Sequence, residues 1–108
     1  MNIRMDYLYR DAGNYKSWGA IVVPNAPEPL ALDQIEASAR ASLIDGAWFV
    51  AAAADLPDLR GEEWDEDLDH DWHELHGFAE TEALPDDPCD RDIRGLLQAL
   101  AVGATASV

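Results

Sequence analysis

The hydrophobic positions of the chain change period several times, and each change marks an element. From Ile3 to Arg10, Ile3, Met5, Tyr7 and Tyr9 alternate with Arg4, Asp6, Leu8 and Arg10. That is the two-residue period of a strand, with Ile3, Met5, Tyr7 and Tyr9 on its core face. Asp11-Ala12-Gly13-Asn14 reads as a turn, because Gly13 and Asn14 tolerate positive φ. Tyr15 to Val23 reads as a second strand, strongest at Ala20-Ile21-Val22-Val23, and the pair predicts an antiparallel hairpin with a longer loop. Three prolines between Pro24 and Pro29 end it. Leu32, Ile35, Ala39 and Leu43 recur at helical spacing, which predicts a helix over 32–45 with Glu36 and Arg40 as an i,i+4 pair and Gly46 as its stop. Ala47 to Ala53 reads as a third strand centred on Trp48-Phe49-Val50, while its alanine run is also compatible with helix.

Asp55-Leu56-Pro57-Asp58 is a break, and Glu62 to Asp71 reads as a loop or short helical turn. Trp72 to Glu82 fits two periods. As a helix it aligns Trp72, Leu75, His76 and Ala79; as a strand it sets Trp72, Glu74, His76, Phe78 and Glu80 opposite His73, Leu75, Gly77 and Ala79. Gly77 and Thr81 disfavour the helix, so a strand is expected. Pro85 and Pro88 bracket a linker, and Asp90 or Asp92 offers an N-cap to a final helix running to about Val102, with Ile93, Leu96, Leu97 and Leu100 inward. The order β-β-α-β-β-α predicts an α+β fold, a mainly antiparallel sheet with helices packed on one face. Ile3, Leu8, Ile21, Val23, Ile35, Leu43, Val50, Leu96 and Leu100 are the core candidates. We expect a single globular domain over 1–102 and a flexible tail over 103–108.

Charge changes this picture more than composition does. With 108 residues, 48% apolar and four Trp, the chain suits one packed domain and does not resemble a disordered acidic tail. Its 22 Asp and Glu against 7 Lys and Arg give a net charge of −15. Nearly all of it lies in residues 55–92, where Asp55, Asp58, Glu62, Glu63, Asp65, Glu66, Asp67, Asp69, Asp71, Glu74, Glu80, Glu82, Asp86, Asp87, Asp90 and Asp92 face only Arg60 and Arg91. Such a field repels nucleic acids and anionic membranes, so no direct binding to either is expected. No apolar run approaches the roughly 18 residues of a membrane span. Met1 to Asp6 lacks the apolar centre of a signal peptide, and the single Cys89 allows no internal disulfide. Together these point to the cytoplasm.

Few residues offer chemistry. Asp65, Asp67, Asp69 and Asp71 alternate like the start of an EF-hand loop, but the pattern then puts His70 where glycine belongs and His76 where the closing glutamate belongs. His70, His73 and His76 recur every three residues among carboxylates, so the alternative function is a metal-binding domain using Asp65 to His76, with Asp69, His70 and His73 as ligands. Cys89 stands between Pro88 and Asp90, where negative charge disfavours the thiolate. Ser17, Ser38, Ser42 and Ser107 lie in no nucleophile motif, and no glycine-rich phosphate loop is present. We expect no enzymatic activity and no cofactor.

The charge instead suits a basic protein surface, including that of a nucleic-acid-binding complex. The expected partner-binding residues are Glu62, Glu63, Trp64, Asp65, Glu66, Asp67, Asp69, Asp71 and Trp72, carboxylates flanked by aromatic anchors. Trp18 and Trp48 are expected in the core or half-buried. Duplex DNA carries a charge every ~3.4 Å of rise per strand, whereas alternate residues of an extended chain repeat at about 6.6 Å. Mimicry of DNA therefore needs two acidic segments side by side, such as 62–71 and 80–92. Size and charge are similar to those of small phage-encoded inhibitors of bacterial defence systems, anti-CRISPR proteins among them.

Tyr7-Leu8-Tyr9-Arg10-Asp11-Ala12, then Asn14-Tyr15-Lys16 and Trp18-Gly19, resembles the opening of an uncharacterised family of small acidic bacterial proteins. Leu43-Ile44-Asp45-Gly46, Pro57-Asp58-Leu59 and the run from Trp64 to Glu74 are similar to later parts of that family, so the resemblance covers roughly residues 3–82. It implies a compact cytoplasmic domain and carries no activity, substrate or catalytic residue.

Overall fold

The computed structural model describes residues 1–11, 13, 15–60 and 72–105. The element order is β1 (Asn2–Arg10), β2 (Lys16–Val23), α1 (Leu32–Ser42), β3 (Trp48–Val50), β4 (Trp72–Thr81) and α2 (Ile93–Thr105). The expected α+β fold is what the chain adopts, an antiparallel sheet of order β2-β1-β4-β3 with both helices against one face. Asp11 closes the β1–β2 hairpin: its N–H donates to the Tyr15 carbonyl at 3.1 Å and its Oδ1 accepts from the Tyr15 N–H at 2.9 Å. Ile3, Met5 and Tyr7 of β1, Ile21 and Val23 of β2, Phe49 of β3 and Leu75 of β4 meet Ile35 and Ala39 of α1 and Ile93, Leu96 and Leu100 of α2 in one core.

β4 takes the strand reading, with an interruption that its period could not show. Asp6 pairs with Gly77 but Tyr7 pairs with Leu75, so His76 is an extra residue, a β-bulge. Because side chains alternate, the bulge shifts phase by one. His73 and Leu75 on one side of it and Phe78 on the other thereby reach the helix-facing side together, instead of lying on opposite faces as a regular strand would place them. The displaced carbonyls are taken up by Arg40 of α1, whose Nη1 donates to Leu75 O at 3.2 Å and whose Nη2 donates to His76 O at 3.1 Å. The same guanidinium donates to Gly46 O at 2.9 Å and to Glu36 Oε1 at 3.1 Å. The i,i+4 pair thus forms, and it orients a side chain that ties α1 to the bulge.

Several boundaries differ from expectation. α1 ends at Ser42, because Asp45 and Gly46 both adopt left-handed φ, 51° and 73°, and reverse the chain so that Ile44 bridges Trp48. β3 is only three residues long, since Ala54 N–H donates back to Val50 O at 3.2 Å and the alanines coil as turns. Val50, expected in the core, is half-buried. α2 runs on through Gly103 and Ala104, both buried, to Thr105, so residues 103–105 are helix where a tail was expected, and 106–108 lie outside the described residues. A β-carbon on Gly103 would stand 3.0 Å from Val50 O, and this close approach seats the end of α2 on β3.

The proline-bounded linker is an ordered strap along the β2 edge. Asp86 N–H donates to Val22 O at 3.0 Å, Val22 N–H donates to Asp86 Oδ1 at 2.7 Å, and Ile93 N–H donates to Pro24 O at 2.9 Å. Asp87, its side chain 1% exposed, pairs with Arg91 at 2.7 Å, and Arg91 donates onward to Ala54 O and Asp55 O. Asp92 is the N-cap of α2, accepting from Gly95 N–H at 2.9 Å.

Two outcomes follow from these ties. Arg40→Met leaves the bulge carbonyls without their donor and should lower unfolding free energy by about 2 kcal/mol in urea titrations. Burial pushes the Asp87 carboxyl up, but hydrogen bonds from the Arg91 side chain and from the Arg91 and Cys89 N–H groups, with the Arg91 charge, hold it on balance below its ordinary 3.8. A depressed carboxyl stabilises the fold at pH above its unfolded value and loses that contribution as pH falls through the lower folded value. Melting temperature should therefore fall as pH drops below 3.8, and Asp87→Asn should lower stability at neutral pH while flattening that acid slope.

Candidate functional site

Alternation divides the sheet into two unlike faces. The helix-facing side is closed. The outer side carries Arg4, Asp6, Leu8 and Arg10 of β1, Trp18, Ala20 and Val22 of β2, Trp48 and Val50 of β3, and Trp72 and Glu74 of β4. Leu8 is buried here, 1% exposed, between its cross-strand partners Trp18 and Glu74. Arg10 pairs with Glu74 at 3.6 Å. Trp18, expected in the core or half-buried, is instead 55% exposed, because β2 is an edge strand and Trp18 lies on the side without helices. Its indole meets the ring of the bulged His76 edge-on, with centroids 5.1 Å apart. Trp48 and Trp72 are half-buried on the same side.

Of the expected partner-binding residues, Glu62, Glu63, Trp64, Asp65, Glu66, Asp67, Asp69 and Asp71 lie outside the described residues, and Trp72 opens β4. The structure shows how both flanks of that segment are held. Tyr7 Oη donates to Pro57 O at 2.7 Å, and Leu59 N–H donates to His73 Nε2 at 3.1 Å. A β-carbon on Gly19 would stand 2.9 Å from Leu59 Cδ2, so the glycine makes the seat for that leucine. Arg60 closes on Asp58 at 2.6 Å. Residues 57–60 and the start of β4 are therefore fastened to each other.

His73 is the centre of this fastening. It is 1% exposed, and its ring lies 5.2 Å from that of Tyr9, 6.1 Å from Tyr7 and 6.2 Å from Phe49. Accepting from Leu59 N–H requires an unprotonated Nε2, which puts the proton of the neutral ring on Nδ1. The 3.5 Å approach of Asp58 Oδ1 to Nε2 is therefore a contact beside that bond and not an ion pair. Burial raises the Asp58 carboxyl, but the side-chain and backbone hydrogen bonds of Arg60 and the nearby positive charge hold it on balance below its ordinary value. Burial, with the Asp58 charge, pushes the Tyr7 hydroxyl up to about 12.

These contacts change the metal alternative. A cation at His73 Nε2 would displace the Leu59 hydrogen bond in a packed aromatic site, while His76 is exposed at the bulge. Asp69 and His70 lie outside the described residues. Among the described residues, no three His, Cys, Asp or Glu side chains converge on one point. The pattern did contain a cue that a ligand reading overlooks: His73 alternates in phase with Leu75, on the apolar side of the strand.

The acids of 80–92 are also not one displayed row. Asp86, Asp87 and Asp92 serve as strap tie, ion pair and helix cap, which leaves Glu80, Glu82 and Asp90 with side chains that make no hydrogen bond among the described residues. Cavities open on the described surface. One of about 120 Å³ is lined by Val50, Ala51, Ala52, Asp58, Arg60 and His73, and another of about 330 Å³ by Ile44, Asp45, Trp48 and Trp72. No described helix is long and apolar enough to cross a membrane. No family model, curated protein or solved structure matches the chain.

His73→Ala removes a buried ring and orphans the Leu59 N–H. It should cost about 3 kcal/mol in denaturant unfolding and speed tryptic cleavage at Arg60 under native conditions. Unchanged cleavage would show that His73 does not hold residues 57–60.

Proposed function

We propose that the protein is a non-enzymatic acidic binding protein that engages a basic surface of a partner protein. The observation that carries this reading is the run 61–71, with seven acids and no Lys or Arg, whose flanks at Arg60 and Trp72 are fastened at one end of the sheet. A folded body that anchors both ends of a highly charged segment lowers the entropy that segment loses on meeting a partner. The surrounding −15 field would speed encounter with a cationic surface. In the same reading the carboxylates occupy positions that nucleic-acid phosphates would take, and the protein acts in the bacterial cytoplasm as an inhibitor of a nucleic-acid-handling or defence complex, in the manner of anti-CRISPR proteins. The internal use of Asp86, Asp87 and Asp92 concentrates that role on residues 62–71 together with the outer sheet face.

Capture from bacterial lysate should recover a basic nucleic-acid-binding protein, with binding that weakens as salt rises from about 0.05 to 0.3 M. DNA should compete for it. The triple variant Asp65→Lys/Asp67→Lys/Asp69→Lys should keep the circular dichroism of the parent and lose the partner. Capture that survives the reversal, or a complex that binds DNA undiminished, would overturn the proposal.

A further inference from the structure

The cavity beside β3 combines features that the acidic segment does not explain. In the β3–β4 ladder, Trp48 faces Glu74 and Val50 faces Trp72, so both indoles stand on the outer side of the sheet at its β3 edge. Ile44 and Asp45 complete the wall of a space of about 330 Å³, a size typical of sites for small groups. The position of Asp45 is set by the backbone. Ile44 N–H donates to Trp48 O at 3.1 Å and Trp48 N–H donates to Ile44 O at 3.0 Å, and within that tight turn Asp45 holds a left-handed φ of 51°. Its side chain is exposed and makes no hydrogen bond or ion pair among the described residues. Among the described residues, the cavity is thus an indole and aliphatic cleft with one carboxylate on its wall.

We propose that this cleft receives an arginine side chain of the partner, a deepening that rests on the basic-partner reading above. A guanidinium is flat and weakly hydrated on its faces, so it stacks on indole. Its edge donates two parallel hydrogen bonds to a carboxylate, which matches Asp45. An anionic group would be repelled by Asp45 and by the whole-molecule charge of −15. A neutral apolar group would gain nothing from the carboxylate. The cleft lies at β3, the strand beside β4, whose first residue Trp72 follows the acidic run directly, so a partner held by that run would present side chains to this edge.

The test uses the full chain and the tripeptide acetyl-Gly-Arg-Gly-amide, with the citrulline analogue as its uncharged isostere, at about 0.15 M salt. The indole N–H resonances of Trp48 and Trp72 should shift saturably with the arginine peptide, with that of Trp18 unmoved, and should not respond to citrulline. Asp45→Asn keeps a residue that accepts left-handed φ and removes one charge; it should weaken binding by about five-fold or more. Equal response to citrulline, full affinity in Asp45→Asn, or diffuse shifts that never saturate would overturn the proposal. Because the peptide is read without any partner, its failure is distinguishable from failure of capture: a chain that loses the peptide site and still captures a basic protein keeps only the acidic-surface function.

Discussion

Strand β4 carries one residue more than the stretch of β1 it pairs with, and that residue, His76, decides on which face every side chain before it emerges. A regular strand anchored by Phe78 in the core would turn His73 and Leu75 outward and bury Trp72 and Glu74. With the bulge, Leu75 seals the core, His73 receives the Leu59 N–H, and Trp72 joins Trp48 on the open side. The fastening of residues 57–60 and the cleft at β3 both follow from that one-residue phase change. Arg40 makes it affordable, because a bulge frees carbonyls that need donors, and the guanidinium supplies them from a neighbouring helix.

Much of this architecture is legible in the sequence because it rests on local physics. The alternation in β1, the apolar stripe Leu32-Ile35-Ala39 in α1, the inward set Ile93-Leu96-Leu100 in α2 and the Asp92 cap each depend on residues within a turn or two of one another. What escaped depends on tertiary placement. Trp18 has the surroundings of a core strand residue, but whether its strand is central or at the edge, and which side the helices choose, is decided by partners elsewhere in the chain. The bulge is a relation between two strands and leaves only Gly77 as a hint. The early end of α1 is written in Asp45-Gly46, a pair suited to left-handed φ, but the apolar period running on to Leu43 masks it.

The same distinction applies to the candidate site. Charge counts locate the acidic third of the chain, yet they do not say which acids are spent inside the fold. Asp86 and Asp92 satisfy backbone N–H groups and Asp87 neutralises Arg91, all in a segment whose composition looks uniformly like solvent-exposed polyanion. His73 shows the complementary case: it stands among carboxylates in the sequence, while its phase with Leu75 makes it part of the core.

The strap along β2 has a consequence for anyone redesigning this surface. Acidic residues here fall into two populations that look alike in composition, one facing solvent and one acting as fasteners. Wholesale neutralisation intended to abolish a charged interface would also unlatch the strap from Val22, from Ala54 and from the first turn of α2. A loss of binding in such a variant would then report a damaged scaffold, so charge engineering on this chain has to proceed residue by residue.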